Sequence, residues 1–207
     1  LTRSQRISHE NLRLRDKDYV EGYEHWLASH VGVESLDCET PPPMFLPFKV
    51  RNLLLSNRVI VSPMLQYSAV DGVPGAQHMV YLGSRAQGGA GLVFTEMTAV
   101  SADARSTPSC AGMYQPAHVT AWKQIVDFVH QSSNAKIAIQ LGHAGAKGGT
   151  KVAWQGLNQP LEVGGWPLLA ASPQQWHERS VMAREMDQVE LQRVKADFVN
   201  ATKMANE

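Results

Sequence analysis

The chain has 207 residues, with nineteen basic and nineteen acidic side chains and therefore no formal net charge. This balance gives no support to a nucleic-acid or other polyanionic partner. No apolar run approaches the ~20 residues of a membrane-spanning helix, so we expect a soluble protein without a membrane partner. Cys38 and Cys110 lack the spacing of a zinc site or a disulfide framework, which favours no metal and a reducing cytoplasm.

The N-terminal region predicts one helix and a linker. The polar start has no signal peptide and no initiator methionine, so we expect a cut within a longer chain. Asp16 can cap a helix from about Lys17 to His30. Its apolar stripe, which needs a surface to pack on, consists of Tyr19, Tyr23, Trp26 and Leu27. Three consecutive prolines exclude a helix interior, and residues 31–43 are interpreted as a linker or domain boundary.

A hairpin and a first parallel strand are predicted next. Two apolar triplets, residues 48–50 and 53–55, are typical of a tight hairpin. Val59–Val61 contains only β-branched residues, which favours a short buried strand, and Pro63 ends it. The loop behind it, residues 64–68, would lie at the C-terminal end of the strand, where α/β barrels build their sites. On this stretch alone, an ordinary strand followed by a turn is the alternative.

Two further strands are predicted, each followed by a helix. Leu92–Val100 is apolar apart from a few positions, and Thr120–Gln131 is the next helix. A glutamate inside that strand, Glu96, must be paired or protonated, and we favour a structural anchor over a site residue. The third strand starts at Lys136 and ends near Gln140, whose amide offers donors and an acceptor. From the residues alone, a satisfied polar core residue is the plainer interpretation of this amide.

The last third of the chain predicts a long loop and a helix. Residues 148–173 are glycine-rich, and a loop of this length between barrel elements is usually functional. A final helix from about Met186 to Glu207 carries an amphipathic stripe.

Five short segments, in this order, resemble the Old Yellow Enzyme family of FMN-dependent ene-reductases and NADH:flavin oxidoreductases. The segments are Asn57-Arg58 with Ser62-Pro63-Met64, Tyr67-Ser68, Ser84-Arg85-Ala86, Glu96, and Gln140-Leu141 with His143-Ala144-Gly145. The resemblance implies an α/β fold, the TIM (β/α)8 barrel, truncated here to about its first three β/α units. The hairpin would cover the bottom of the barrel, and the first helix would be an extra N-terminal element. FMN, reduced by NADH or NADPH, is the implied cofactor.

The resemblance also implies the site residues. Those that would line FMN are Ser62, Pro63, Met64, Leu65, Met97 and Gln140. Tyr67 would contact substrate and is the candidate catalytic proton donor. His78 receives no role, and His143 either touches substrate or holds its loop. The family's His-Ala-Gly-Arg ends here in Ala146 followed by Lys147, which removes a fixed cation.

The N-terminal segment carries a second resemblance. Residues 6–16 and the following Tyr19-Val-Glu-Gly22 are similar to the stretch that leaves the flavin hydroxylase half of bifunctional salicylyl-CoA or 2-aminobenzoyl-CoA enzymes. This implies that residues 1–42 are the tail of an upstream FAD domain plus a linker. Residues 43–207 would then be the N-terminal part of an FMN-binding barrel that reduces an aromatic-derived acyl-CoA.

Two alternatives remain, a stand-alone dienoyl-CoA or enone reductase and a non-catalytic truncated barrel. FAD is expected only in the upstream domain, and a homo-oligomer is expected at full length. In the family, the later strands carry the FMN phosphate site and the pair of side chains that holds the substrate oxygen. We therefore expect this chain alone to bind FMN poorly and to show no turnover.

Overall fold

The computed structural model describes residues 9–30 and 42–207. The helices in these ranges are α1 (His9–Arg15), α2 (Lys17–His30), α3 (Ala76–Gln87), α4 (Pro116–Ser132), α5 (Ala153–Gly156) and α6 (Gln188–Ala205). The strands are β1 (Phe48–Val50), β2 (Leu53–Leu55), β3 (Ile60–Val61), β4 (Leu92–Ala99), β5 (Lys136–Gly142), β6 (Leu169–Ala170), β7 (Gln174–Gln175) and β8 (Met182–Glu185). Most of the predicted linker, Cys38 and the start of the hydroxylase-like segment lie outside the described residues.

A parallel sheet in the order β3-β4-β5 organises the molecule. Ile60 lies opposite Leu92, and Leu92 lies opposite Lys136, so the three strands start at the same level. Helix α3 connects β3 to β4, α4 connects β4 to β5, and α6 follows β5. Parallel neighbours joined by helices are the repeating unit of α/β barrels and open α/β sheets.

The core lies on the side of the sheet that the helices cover. It combines alternate strand residues with one face each of α3 and α4: Val61, Val93, Ile137, Ile139, Leu82, Ala86, Trp122, Ile125 and Val129. Because side chains alternate along a strand, Ile60, Phe94, Ala138 and Gln140 face the opposite side. We call this second side the open face of the sheet.

The prediction that Val59–Val61 is a buried strand was wrong in two respects. The strand contains only Ile60 and Val61, and Ile60 is 50% exposed. Within the described ranges β3 pairs only with β4 and lies at the edge of the sheet. The exposure of Ile60 follows, since its side chain points to the open face and no second layer covers it.

The N-terminal helix confirms the cap and only one residue of the stripe. The N–H of Tyr19 donates to Asp16 Oδ1 at 3.0 Å, as expected for an N-cap. The predicted apolar stripe is mostly exposed, because Tyr19, Tyr23 and Trp26 stack on one another along the helix surface. Leu27, the fourth residue of the stripe, is buried and packs with Ala28 against Leu46.

The structure confirms the predicted hairpin of residues 48–50 and 53–55. Strands β1 and β2 are antiparallel, Val50 lies opposite Leu53, and Arg51 takes a left-handed φ of 52° at the turn. The expected long loop is more ordered than predicted. It contains α5 and leads into a small sheet of order β6-β8-β7. Strands of two to four residues carry no readable alternation, which is why the sequence did not reveal them.

Helix α6 agrees with the predicted helix within two residues at each end. Asp187 and Glu190 cap it reciprocally through their side chains. None of the described helices has both the length and the apolar character needed to cross a membrane.

Gly91 offers a test of how tightly β3 and β4 are joined. Its N–H donates to the Val59 carbonyl at 3.0 Å, and a Cβ at this position would lie 2.3 Å from the backbone oxygen of Asn57. Because backbone cannot swing aside as a side chain does, we expect Gly91→Ala to lower the free energy of unfolding by about 1–3 kcal/mol in urea denaturation.

Gly22 in α2 is the matched control, since a Cβ there would meet nothing within 4 Å. Gly22→Ala should leave the free energy of unfolding unchanged or raise it, because alanine favours helix. An equal loss of stability in both variants would contradict the close approach at Gly91.

Candidate active site

An irregularity in β4 sets the geometry of the site. The pairing of β4 with β5 shifts register around Thr95 and Glu96. The Thr95 hydroxyl accepts the N–H of Gln140 at 3.2 Å. The hydroxyls of Thr95 and Thr98 each donate to the Glu96 carbonyl at 2.9 Å. Side chains therefore supply the hydrogen bonds that the interrupted ladder lacks, as β-bulges near functional sites often require.

The bulge places the Glu96 carboxylate in a buried pair with His78. The two side chains are 0% and 1% exposed, and Glu96 Oε1 lies 2.5 Å from His78 Nε2. The N–H of Gly75 donates to His78 Nδ1 at 3.1 Å, so Nε2 is the nitrogen that carries a proton toward the carboxylate. Glu96 Oε2 accepts the N–H of Gln66 at 3.4 Å. One carboxylate thus joins β4, the first turn of α3 and the loop after β3.

Glu96 is therefore paired, as its position in a buried strand required. His78, to which the sequence assigned no role, is its partner. The available signal was a histidine three residues after a helix-starting glycine.

The loop after β3 carries the predicted proton donor in a strained conformation. Tyr67 has a φ of 49°, in the left-handed region that residues with a Cβ rarely adopt. Just before it, the Gln66 side chain donates to the Met64 carbonyl at 2.9 Å. Just after it, the N–H of Ala69 donates to the Ser109 carbonyl at 3.1 Å. The strained residue is held from both sides.

The Tyr67 ring packs edge-on against Trp154 of α5. The ring centroids are 5.4 Å apart and the planes are perpendicular, a favourable aromatic geometry. Burial raises the pKa of the Tyr67 phenol, and the nearby Cys110 and Glu96 raise it further. The phenol is therefore a neutral donor throughout the physiological pH range. Sequence reasoning gave Trp154 no place in the site, and no local pattern links these two residues.

Of the other predicted residues, Met97 and Gln140 lie on the open face toward the C-terminal ends of β4 and β5, and the Ser62–Leu65 segment follows β3 at the same end of the sheet. Met97 and Gln140 are register partners on β4 and β5, and Ser62 is exposed just past β3. Met97 is accommodated because Gly142 faces it, since a Cβ on Gly142 would lie 2.6 Å from Met97 Cγ. The structure therefore brings Met97, Gln140 and the Ser62–Leu65 segment to one edge of three neighbouring strands.

His143 and Lys147 lie beyond this edge. The N–H of Gly145 donates to His143 Nδ1 at 3.0 Å, which supports a loop-holding role. Burial lowers the pKa of His143, and its Nε2 atom is buried without a partner among the described residues. Lys147 Nζ lies 4.1 Å from the centre of the Trp176 ring.

The residues at this edge fit an isoalloxazine ring. A flat tricyclic ring needs an apolar surface, which Leu65 and Met97 can provide. Met64 is 52% exposed, but its sulfur lies 3.7 Å from the Tyr81 hydroxyl of α3. The pyrimidine edge of the ring needs donors and acceptors. The exposed Gln140 amide makes no hydrogen bond within residues 9–30 and 42–207, and the N–H of Leu65 also lacks a partner there. The donor set is thus free to bind such a ligand.

Comparison with protein families and sequences gives a consistent match. A sequence model of the NADH:flavin oxidoreductase / NADH oxidase family matches residues 43–207. An NADH:flavin oxidoreductase of Gibberella zeae is 34% identical over 167 residues, which cover 78% of this chain and 40% of that protein. An NADPH dehydrogenase of Listeria welshimeri is 34% identical over 166 residues, covering 79% and 45%.

Solved structures agree on the fold. Morphinone reductase in complex with tetrahydroNAD matches with a TM-score of 0.68 at 28% identity, over 80% of this chain and 47% of that one. Old Yellow Enzyme from Pichia sp. matches with a TM-score of 0.66 at 26% identity, over 79% and 42%. The α/β fold is thus that of Old Yellow Enzyme barrels, and the chain spans less than half the length of these relatives.

The buried pair predicts a large effect of removing one partner. Glu96→Ala leaves the buried His78 without its acceptor and removes the acceptor of the part-buried Gln66 N–H, so we expect the free energy of unfolding to fall by about 3–5 kcal/mol. Glu96→Gln keeps the shape and one acceptor and should cost less. Urea denaturation of the purified variants measures both.

The control is an exposed pair on α4. Lys123 Nζ lies 3.2 Å from Asp127 Oδ1, and both side chains are largely exposed. Asp127→Ala should change the free energy of unfolding by no more than about 0.5 kcal/mol. A Glu96→Ala loss as small as this would show that the buried pair does not anchor the loop.

Proposed function

Because the chain belongs to the NADH:flavin oxidoreductase / NADH oxidase family, whose members are FMN-dependent oxidoreductases, we propose that it forms one side of an ene-reductase site. The chemistry that FMN supplies when bound is hydride transfer, with NADH or NADPH as the reductant. The proposed substrate is an alkene conjugated to a carbonyl group. The protein contributes binding, orientation and one proton.

Binding rests on the edge of the open face. Met64, Leu65 and Met97 would pack on one side of the ring. The Gln140 amide would read the pyrimidine edge, because it can donate and accept at neighbouring positions. Ser62 and Pro63 would complete the contact with the end of β3.

The Tyr67 phenol carries the catalytic part of the proposal. It stands at the C-terminal edge of the sheet, and burial keeps it protonated. In the proposed reaction, hydride reaches one alkene carbon and the Tyr67 hydroxyl gives its proton to the other. A neutral phenol with a raised pKa suits a donor that must stay protonated until the substrate carbon gains negative charge.

We further propose an aromatic-derived acyl-CoA as the substrate, within a protein whose upstream domain binds FAD. The support is the resemblance of residues 6–22, of which residues 6–8 lie outside the described ranges. The relatives named NADH:flavin oxidoreductase and NADPH dehydrogenase support only the wider reaction class. The homo-oligomer and the cytoplasmic location stay predictions.

Tyr67→Phe tests the proton transfer. In the FMN-loaded complete protein, stopped-flow reduction of the flavin by NADH or NADPH should change by less than about twofold, because it needs no phenol proton. Reoxidation by 2-cyclohexen-1-one should slow by about 10²–10⁴-fold. Since the Tyr67 pKa is raised above its ordinary value of about 10, the parent rate should fall only above that pH, and Tyr67→Phe should remove this fall.

Tyr114 provides the control, because burial also raises its pKa but its ring packs on His118 away from the open face. Tyr114→Phe should leave both half-reactions and the alkaline limb of the pH profile unchanged. Equal rates of reoxidation in the parent protein and Tyr67→Phe would exclude Tyr67 as the donor.

Gln140→Leu tests the cofactor contact. Loss of the amide should weaken FMN binding about tenfold, which corresponds to one or two hydrogen bonds. Gln124, exposed on the outer helix α4, gives the matched control Gln124→Leu, which should bind FMN like the parent. Titration of the apoprotein with FMN, followed by flavin fluorescence, measures both affinities. Identical affinities in the two variants would remove Gln140 from the flavin site.

A further inference from the structure

The loop that follows β4 is braced from within by one of its own side chains. We call it the 101–110 loop. The Nε–H of Arg105 donates to the Ala102 carbonyl at 2.9 Å, and its Nη1–H donates to the Pro108 carbonyl at 3.2 Å. Ala104, between these points, is fully buried. Charge-assisted hydrogen bonds from one guanidinium to both ends of the loop favour a single loop conformation.

This loop supports the backbone beside Tyr67. The Ser109 carbonyl accepts the N–H of Ala69, two residues after Tyr67, at 3.1 Å. Tyr67 itself has a left-handed φ of 49°. A residue in this region depends on its surroundings to keep its conformation. A displacement of the 101–110 loop would therefore move the phenol.

The same loop also supports the ring that packs on the phenol. The Ser106 carbonyl accepts the N–H and the hydroxyl of Thr150, at 2.9 and 3.2 Å. Four residues after Thr150, Trp154 packs edge-on against the Tyr67 ring, with the ring centroids 5.4 Å apart. The 101–110 loop thus reaches Tyr67 twice, once through the backbone and once through an aromatic contact.

A salt bridge to α6 fixes the position of the 101–110 loop. Arg193 of α6 donates from Nη2 and Nη1 to the two carboxylate oxygens of Asp103, at 2.7 and 3.2 Å. The Ser101 hydroxyl donates to the same carboxylate at 2.6 Å. Asp197, one turn along α6, accepts from Arg193 at 3.1 Å. The bidentate pair joins residues that lie 90 positions apart in the sequence, and such a pair fixes an angle as well as a distance.

Helix α6 is a firm support for this contact. Ala201 is buried in the core, and Phe198 and Met204 pack against the same core. The orientation of α6 is therefore set by the sheet and its covering helices, and Arg193 transmits that orientation to the loop after β4.

We propose that Arg193 is a positioning residue for the Tyr67 phenol, acting through Asp103 and the 101–110 loop. The bidentate pair sets the orientation of this loop relative to the sheet, and the loop sets where the phenol lies at the strand ends. Arg193 gives no proton and acts without contact with the phenol. This inference rests on the proposed function, since it concerns the proton donor of that same site.

The exposure of the pair separates positioning from simple stabilisation. The side chains of Arg193 and Asp103 are 39% and 27% exposed, and partly exposed ion pairs contribute little to the free energy of unfolding. Loss of the pair should therefore leave the protein folded. Proton transfer should still slow, because it depends steeply on the geometry of the donor.

Arg193→Met tests the inference in the FMN-loaded complete protein. Stopped-flow reoxidation by saturating 2-cyclohexen-1-one should slow about ten- to a hundredfold, as expected when a catalytic group is misplaced. Reduction of the flavin by NADH or NADPH needs no phenol proton and should change by less than about twofold. Arg193→Lys keeps the cation but loses the bidentate geometry, so its reoxidation rate should lie between those of Arg193→Met and the parent protein.

Two further variants show which contact is responsible. Asp103→Asn should also slow reoxidation, and adding it to Arg193→Met should cause no further loss, because both substitutions remove the same contact. Arg184→Met is the matched control. Arg184 forms a similar bidentate pair with Glu190, but that pair joins β8 to the first turn of α6 and should leave reoxidation unchanged.

A second measurement does not depend on turnover. In the complete protein labelled with 3-fluorotyrosine, fluorine NMR follows the Tyr67 resonance, which is assigned by its loss in Tyr67→Phe. Arg193→Met should shift this resonance, because the packing of Trp154 on the ring changes, and Arg184→Met should not. An unchanged resonance with an unchanged reoxidation rate in Arg193→Met would overturn the inference. A shifted resonance in Arg193→Met, with equal reoxidation of the parent protein and Tyr67→Phe, would instead contradict the proposed function and leave this inference standing.

Discussion

The buried Glu96 carboxylate is the constraint on which the site depends. A carboxylate at 0% exposure is costly unless its oxygens are hydrogen-bonded. Here one oxygen meets His78 at the start of α3, and the other meets the Gln66 N–H in the loop after β3. Each bond forms only when its own partner element is in place, so the carboxylate joins β4 both to α3 and to the loop. The loop that carries Tyr67 is thus positioned by a strand on which Tyr67 does not lie.

This anchoring explains how a tyrosine can remain in the left-handed region, which costs roughly 1–2 kcal/mol. The loop is tied before Tyr67 by Glu96, and after it by the turn at Asp71 and Gly72. There, His118 Nε2 donates to the Asp71 carbonyl at 3.0 Å. The Gly72 carbonyl accepts the Gly112 N–H at 2.8 Å. His118 and Gly112 both follow β4 in the chain. The position of Tyr67 therefore depends on contacts with elements outside its own loop.

The sequence predicted the elements that local patterns specify. The hairpin, the Asp16 cap and the helices α4 and α6 follow from turn residues, capping residues and helical periodicity. It did not predict contacts between distant segments, such as Trp154 on Tyr67 or His78 on Glu96, because no local pattern encodes them. The prediction that Tyr19, Tyr23 and Trp26 pack on another surface was wrong for a related reason. These rings stack on one another along the exposed side of the helix. The roles of Tyr67 and Gln140 came from family resemblance, and they stay predictions.

The proposed cofactor site accounts for only part of the open face. Parallel sheets are normally covered on both faces, and in the described ranges the helices cover only one. A flavin bound at the proposed site would cover Met97 and Gln140 at the C-terminal edge. Ile60 and Ala138 lie nearer the N-terminal ends of the strands, where the interior of a packed barrel holds protein side chains. The proposed cofactor site and the remainder of the open face therefore need different partners, the flavin at the C-terminal edge and protein side chains at the other end.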